Sequence, residues 1–200
     1  MTSIALFHSV LGVRPGVNAA ADLLRSHGHT VRVVDQYNGR VFDDYDEAAT
    51  FATNIGYPAL MAAAAQAVED MPGRFVCAGF SNGGGMSMHV ATSNPAVSGA
   101  LLFSGAMDPA MISVTRWPET VAVQVHYTVS DPFRDQGSIE AHDRLVKESG
   151  ASIELFDYPG RGHLFTDPSL PDEYDPTTTS LLWNRTVEFL DRIDASAKHE

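Results

Sequence analysis

Short, nearly unbroken apolar runs alternate with longer amphipathic stretches along this chain. The runs IALFHS (4–9), TVRVVD (30–35), RFVCAGF (74–80), GALLFS (99–104), VAVQVHY (121–127) and SIELFDY (152–158) are rich in β-branched and aromatic residues and bounded by turn formers, so they read as strands. Helices are expected between them. The first covers 17–27 and ends at Gly28, the second is the alanine-rich 57–70, and the third covers 83–93 and stops before Pro95. A fourth spans 138–149, with Ser138 as N-cap and Gly150 at its end; the last spans 177–195, with Asp175 as cap and Pro176 in the first turn. Strands that are apolar on both faces and alternate with helices predict a mainly parallel sheet covered by helices on both sides. In such sheets ligands bind beyond the carboxyl ends of the strands. The residues able to meet there are therefore those that follow positions 9, 36, 80, 104, 127 and 158.

One of these junctions has a distinctive spacing. In VCAGFSNGGG (76–85), Ser81 lies between a strand and a helix with Gly79 and Gly83 two places to either side. A nucleophile on so sharp a turn has strained backbone angles, and side chains at the flanking positions would collide. The helix that follows aims its first N–H groups at the place where oxyanion charge develops. The same glycines also suit a tight strand-to-helix connection with Ser81 as a plain N-cap. A serine hydroxyl attacks only when a base takes its proton and a third group orients that base. Asp131, in HYTVSDPF (126–133), and His163, in YPGRGHLF (158–165), each lie a few residues beyond a strand. The order Ser81, Asp131, His163 is that of acyl hydrolases on this type of sheet. His126 reads as a core histidine at the end of an apolar strand, and His89 and His142 as helix packing or surface residues. A backbone N–H near Val10, in FHSVLG (7–12), and that of Asn82 are the expected oxyanion donors.

Composition narrows the partners. The chain has 200 residues and suits one domain, 1–200; its formal charge of −12 disfavours nucleic acid and anionic membranes. One cysteine, Cys77, excludes an internal disulfide and a cysteine metal cluster, and it reads as a buried strand residue. With no apolar run of membrane-spanning length and no leader-like start, the expected location is cytoplasmic. Arg40 and Arg161 lie in loops at the active edge, where either could pair with a substrate carboxylate or remain a plain surface arginine. Tyr37, Tyr57, Met86 and Phe133 are pocket candidates, with core packing an equal reading of Met86. The segment DPSLPDEYDP (167–176) reads as a rim or lid near His163 or as a solvated loop.

Taken together, LFHSVLG (6–12), VDQYNGR (34–40), AGFSNGGG (78–85), VHYTVSDPF (125–133), YPGRGHLFTD (158–167) and LLWNRTVEFL (181–190) resemble the dienelactone hydrolase family over nearly the whole chain. The resemblance implies an α/β-hydrolase fold of about six or seven strands without a large cap domain. It implies hydrolysis of a small-molecule ester or lactone through a covalent acyl-enzyme, with no metal and no organic cofactor. It maps the nucleophile to Ser81, the acid to Asp131, the base to His163 and the oxyanion donors to the N–H groups of Val10 and Asn82. This chain departs from the family pattern in having Ser81 in place of a cysteine nucleophile. Ser9 stands where the family's first loop often carries a glutamate that tunes that cysteine, and Thr128 stands where glycine is usual. Ser9, Tyr37, Arg40 and Arg161 are then the candidate substrate contacts. The expected molecule is a monomer or homodimer. A thioesterase or acyl-peptide hydrolase with the same three residues, and a non-catalytic binding protein on the same fold, remain open alternatives.

Overall fold

The computed structural model describes residues 1–196. Six strands form a single sheet: β1 (Ser3–Phe7), β2 (Thr30–Val34), β3 (Phe75–Phe80), β4 (Val97–Phe103), β5 (Ala122–Thr128) and β6 (Ile153–Tyr158). They are ordered β2-β1-β3-β4-β5-β6, and every pairing is parallel. All residues of β3 and β4 are buried, as a central strand covered on both faces requires. Each expected strand is present, with ends shifted by one or two residues.

The covering helices are α1 (Pro15–Ser26), α2 (Tyr45–Ile55), α3 (Tyr57–Gln66), α4 (Asn82–Ser93), α5 (Gln136–Glu148) and α6 (Pro176–Ser196). A short 3-10 turn covers Pro109–Ile112. α2 is an addition to the sequence reading. Its cap is Asp44, whose carboxylate accepts the Glu47 N–H at 2.8 Å. The cap of α5 is Asp135 rather than Ser138, because its carboxylate reaches both the Gly137 N–H at 3.0 Å and the Ser138 hydroxyl at 2.7 Å. Asp175 does cap α6, accepting the Thr178 N–H at 2.7 Å. Among the described residues, no helix is long and apolar enough to cross a membrane.

The strand order reverses direction between β1 and β3, so the loops leaving these two strands diverge and open a crevice. Buried Arg14 braces one side of it. Its guanidinium donates to the Phe42 carbonyl at 2.5 Å, to Asp43 at 2.7 Å and to the Ser169 hydroxyl at 3.2 Å, and its Nε lies 3.5 Å from Asp167. Breaking so buried a pair costs about 3–5 kcal/mol. Arg14 thereby ties the start of α1 and the loop after β2 to the segment after β6.

Candidate active site

Ser81 caps α4 with φ 51° and ψ −117°, a left-handed conformation that side chains rarely adopt. Its surroundings hold it there. The Ser81 N–H donates to the Phe103 carbonyl at 2.8 Å, and its own carbonyl accepts the Gly84 N–H at 2.8 Å. A Cβ at Gly79 would overlap the Gly83 carbonyl, and one at Gly83 would overlap the carbonyls of Phe7 and His8. The two flanking glycines are thus required by close backbone approach, which presses the start of α4 onto β1 and β3.

His163 approaches from the loop after β6. Its Nε2 lies 2.7 Å from Ser81 Oγ, and its Nδ1 lies 2.7 Å from Asp131 Oδ2. The arrangement fits a tautomer in which Nδ1–H donates to the carboxylate and Nε2 accepts the serine hydroxyl proton. The other oxygen of Asp131 accepts the Phe133 N–H at 2.8 Å, so the carboxylate is held from both sides. Thr128, in the place where glycine is usual, bonds the two loops together: its hydroxyl donates to the Gly162 carbonyl at 2.9 Å. The Val129 and Ser130 N–H groups add bonds to the Tyr158 and Gly160 carbonyls at 2.9 and 3.0 Å.

A cavity of about 410 Å³ opens over Ser81. Val10 and Asn82 both line it, and neither of their N–H groups donates a hydrogen bond within the described residues. The Val10 loop is preset by a turn in which the Gly12 N–H donates to the Ser9 carbonyl at 3.1 Å, with Gly12 at φ 86°. Two free, fixed N–H groups beside a serine hydroxyl suit a developing oxyanion. The far wall runs from Ser104 to Met107. It is pinned by the Tyr127 hydroxyl, which accepts the Ala106 N–H at 2.9 Å. Ser104 is buried at φ 51°, with a hydroxyl that has no hydrogen-bond partner among the described residues.

Several expected substrate contacts fall elsewhere. Tyr37 is buried against His8, Phe42 and Phe51, where burial raises its hydroxyl to about 12. Ser9 is also buried, and its Oγ accepts the Leu11 N–H at 3.2 Å. Arg40 stacks over Phe42 and Phe51 and reaches Glu47 at 4.0 Å, and Arg161 is exposed; neither lines the cavity. Met86 is a core residue, whereas Tyr57 and Phe133 do line the cavity. The 167–176 segment is neither free loop nor loose lid. Glu173 accepts the Leu164 N–H at 2.6 Å and the Tyr45 hydroxyl at 2.9 Å, and Asp167 pairs with Arg14.

The other buried histidines are kept neutral. His126 bonds Tyr158 Oη at 2.8 Å and Gln124 Oε1 at 2.9 Å, and burial, aided by Arg185, pushes it down to about 3. His8 Nδ1 donates to the Ser9 carbonyl at 2.6 Å while Nε2 accepts the Gln36 N–H at 3.1 Å. The sequence reading missed Tyr45, Asp46, Ser104, Met107, Tyr127 and Asp135 as lining residues. For the pair on α2, the spacing of Asp44 and Glu47 is a capping signal that marks a helix start.

A profile of the dienelactone hydrolase family matches residues 1–194. A comparison with curated proteins finds no match. Among solved structures, a dienelactone hydrolase-like promiscuous phosphotriesterase from metagenomic libraries is 18% identical, covering 96% of this chain and 87% of its own, with a TM-score of 0.81. The dienelactone hydrolase of Anabaena variabilis is 17% identical, covering 96% and 86%, with a TM-score of 0.66. The carboxylesterase of Bacillus cereus is 16% identical, covering 96% and 88%, with a TM-score of 0.57. At these identities the structural likeness is one of fold: an α/β-hydrolase sheet without a large cap.

Proposed function

We propose that this chain, which belongs to the dienelactone hydrolase family, cleaves a small carboxylic ester or lactone through an acyl-Ser81 intermediate. Hydrolysis of ester bonds comes with the family; the nucleophile and the intermediate are our reading. What supports them most is the unbroken chain of hydrogen bonds Ser81–His163–Asp131, at 2.7 Å for each link, on a serine held at positive φ.

In this reading Ser81 Oγ bonds to the substrate carbonyl carbon while its proton passes to His163 Nε2. Asp131 stabilises the imidazolium that forms. The N–H groups of Val10 and Asn82 receive the oxyanion, a contribution of about 3 kcal/mol per donor in comparable sites. Collapse breaks the bond to the alcohol oxygen, which leaves with the proton from Nε2. Water then gives a proton to Nε2 and attacks the acyl carbon; release of the acid restores Ser81. Each step uses groups of the chain itself.

The test is intact mass after exposure to a neutral fluorophosphonate. One adduct on the wild type and none on Ser81→Ala is expected. A folded wild type that takes no adduct overturns the reading and turns attention to ligand binding without turnover.

A further inference from the structure

The mouth of the cavity over Ser81 carries charge of one sign. Asp46, in the first turn of α2, and Asp135, the cap of α5, both line it, and no arginine or lysine among the described residues does. Both carboxylates are exposed, and the Ser138 hydroxyl followed by the Gly137 N–H holds Asp135 below the usual carboxylate range. The arginines near the walls are already matched. Arg134 lies 5.3 Å over the Tyr127 ring but gives its guanidinium to Asp157 at 2.6 Å. Arg40 is stacked away on Phe42 and Phe51. Behind the wall stand two further acidic side chains, Asp131 and Glu173.

Beside these charges the mouth presents aromatic surface. Tyr57 and Phe133 line it while remaining 42% and 55% exposed. Ring faces attract cations through their quadrupole, and most strongly where carboxylates add to the same field. A carboxylate-bearing substrate would meet repulsion at the mouth and find no guanidinium inside.

Resting on the reading of Ser81 as nucleophile, we propose that this pocket selects substrate by charge. Esters carrying an alkylammonium group are preferred over neutral isosteres, and carboxylate-bearing esters are the poorest. Cleavage creates a new carboxylate on the acyl product, lowering its charge by one unit, so the same field holds the product less well than the ester.

The experiment compares three acyl esters of one alcohol, ending in a trimethylammonium, a tert-butyl or a carboxylate group. At about 0.02 M salt, kcat/KM should fall roughly tenfold at each step of that series, and both steps should shrink toward twofold at about 0.5 M salt as screening sets in. Asp46→Asn combined with Asp135→Asn should narrow both steps at low salt; asparagine retains the cap of α5. A flat series, or a preference for the carboxylate, overturns the proposal, and loss of such a preference in Arg161→Gln would assign specificity to that residue instead. Fluorophosphonate labelling of Ser81 in the same preparation separates the two readings. Labelling with a flat series rejects charge selection alone, whereas no labelling rejects the nucleophile and the selection together.

Discussion

Ser81 and Phe133 touch the imidazole of His163 from different sides, Ser81 at 2.7 Å through Oγ and Phe133 with ring centroids 4.8 Å apart. They are held in different ways. Ser81 is fixed by backbone: a positive φ, two backbone hydrogen bonds and glycines that admit no side chain. Phe133 is 55% exposed and is aimed by little more than contact with Tyr45 and His163. At the floor of the pocket a displacement means moving the sheet; at the rim it means rotating a side chain. Reactivity should therefore be brittle at the floor and adjustable at the rim.

The sharpest way to break this contrast is Asp131→Asn. Its effect should be the largest, a fall in kcat of about 10³–10⁴-fold with the fold intact, because the amide supports the wrong imidazole tautomer. Circular dichroism alongside steady-state kinetics checks it. A loss of less than tenfold would mean that the floor is not organised around this carboxylate.

Acid sensitivity needs to be separated from the chemistry of the floor. His142 is buried against Trp117 with neither ring nitrogen partnered among the described residues, and burial, opposed by Asp143, pushes it down to about 4. His126 is pushed down to about 3. Both stay neutral in the native protein, whereas the unfolded chain binds protons below about pH 6.5. Stability is thus retained above that pH and lost as pH falls toward the folded values. His142→Phe should leave activity at neutral pH alone and add roughly 2–3 kcal/mol of stability near pH 4 relative to wild type. Thermal unfolding at two pH values reads this directly, and a gain no larger in acid than at neutrality would contradict it.

At the rim, Phe133→Ala should lower kcat/KM by roughly fivefold, within the range for loss of one apolar contact, and mostly through KM. A collapse of kcat would place this ring among the groups that set the imidazole. The smallest effect belongs to Tyr37→Phe, which removes a hydroxyl without a hydrogen-bond partner among the described residues, on a side chain that does not line the cavity. Activity should change by less than about twofold and stability should rise by about 1 kcal/mol. A clear rise in KM would return Tyr37 to the substrate contacts that the sequence suggests.

The same contrast explains what could be read from the sequence. The central strands were legible because buried parallel strands are apolar on both faces, and the half-exposed edge strands β2 and β6 because they are rich in β-branched and aromatic residues. The floor was legible because close backbone approach leaves glycines at a fixed distance from Ser81. Asp131 and His163 followed because the sheet dictates which strand ends share an edge. The rim left no such trace. α2 buries only Ala48 and Ala52 of its residues, so its apolar stripe is too thin to announce a helix, and Tyr45 and Asp46 came with it unseen. Tyr37 and Arg40 sit in a loop whose sequence does not say that the tyrosine turns inward, or that the arginine lies on two phenylalanines.

From β3 to β6 the strands stand in the sheet in the order in which they occur in the chain. During synthesis each new strand meets an edge that its predecessor has just created, and the sheet widens in one direction. The serine turn is laid down with β3, the carboxylate only with β5, and the imidazole after β6. A nascent chain therefore presents its serine long before it holds any base to activate it. In the proposed mechanism chemical competence arrives with the outermost strand, so a ribosome-bound or truncated chain that ends before His163 should carry no reaction.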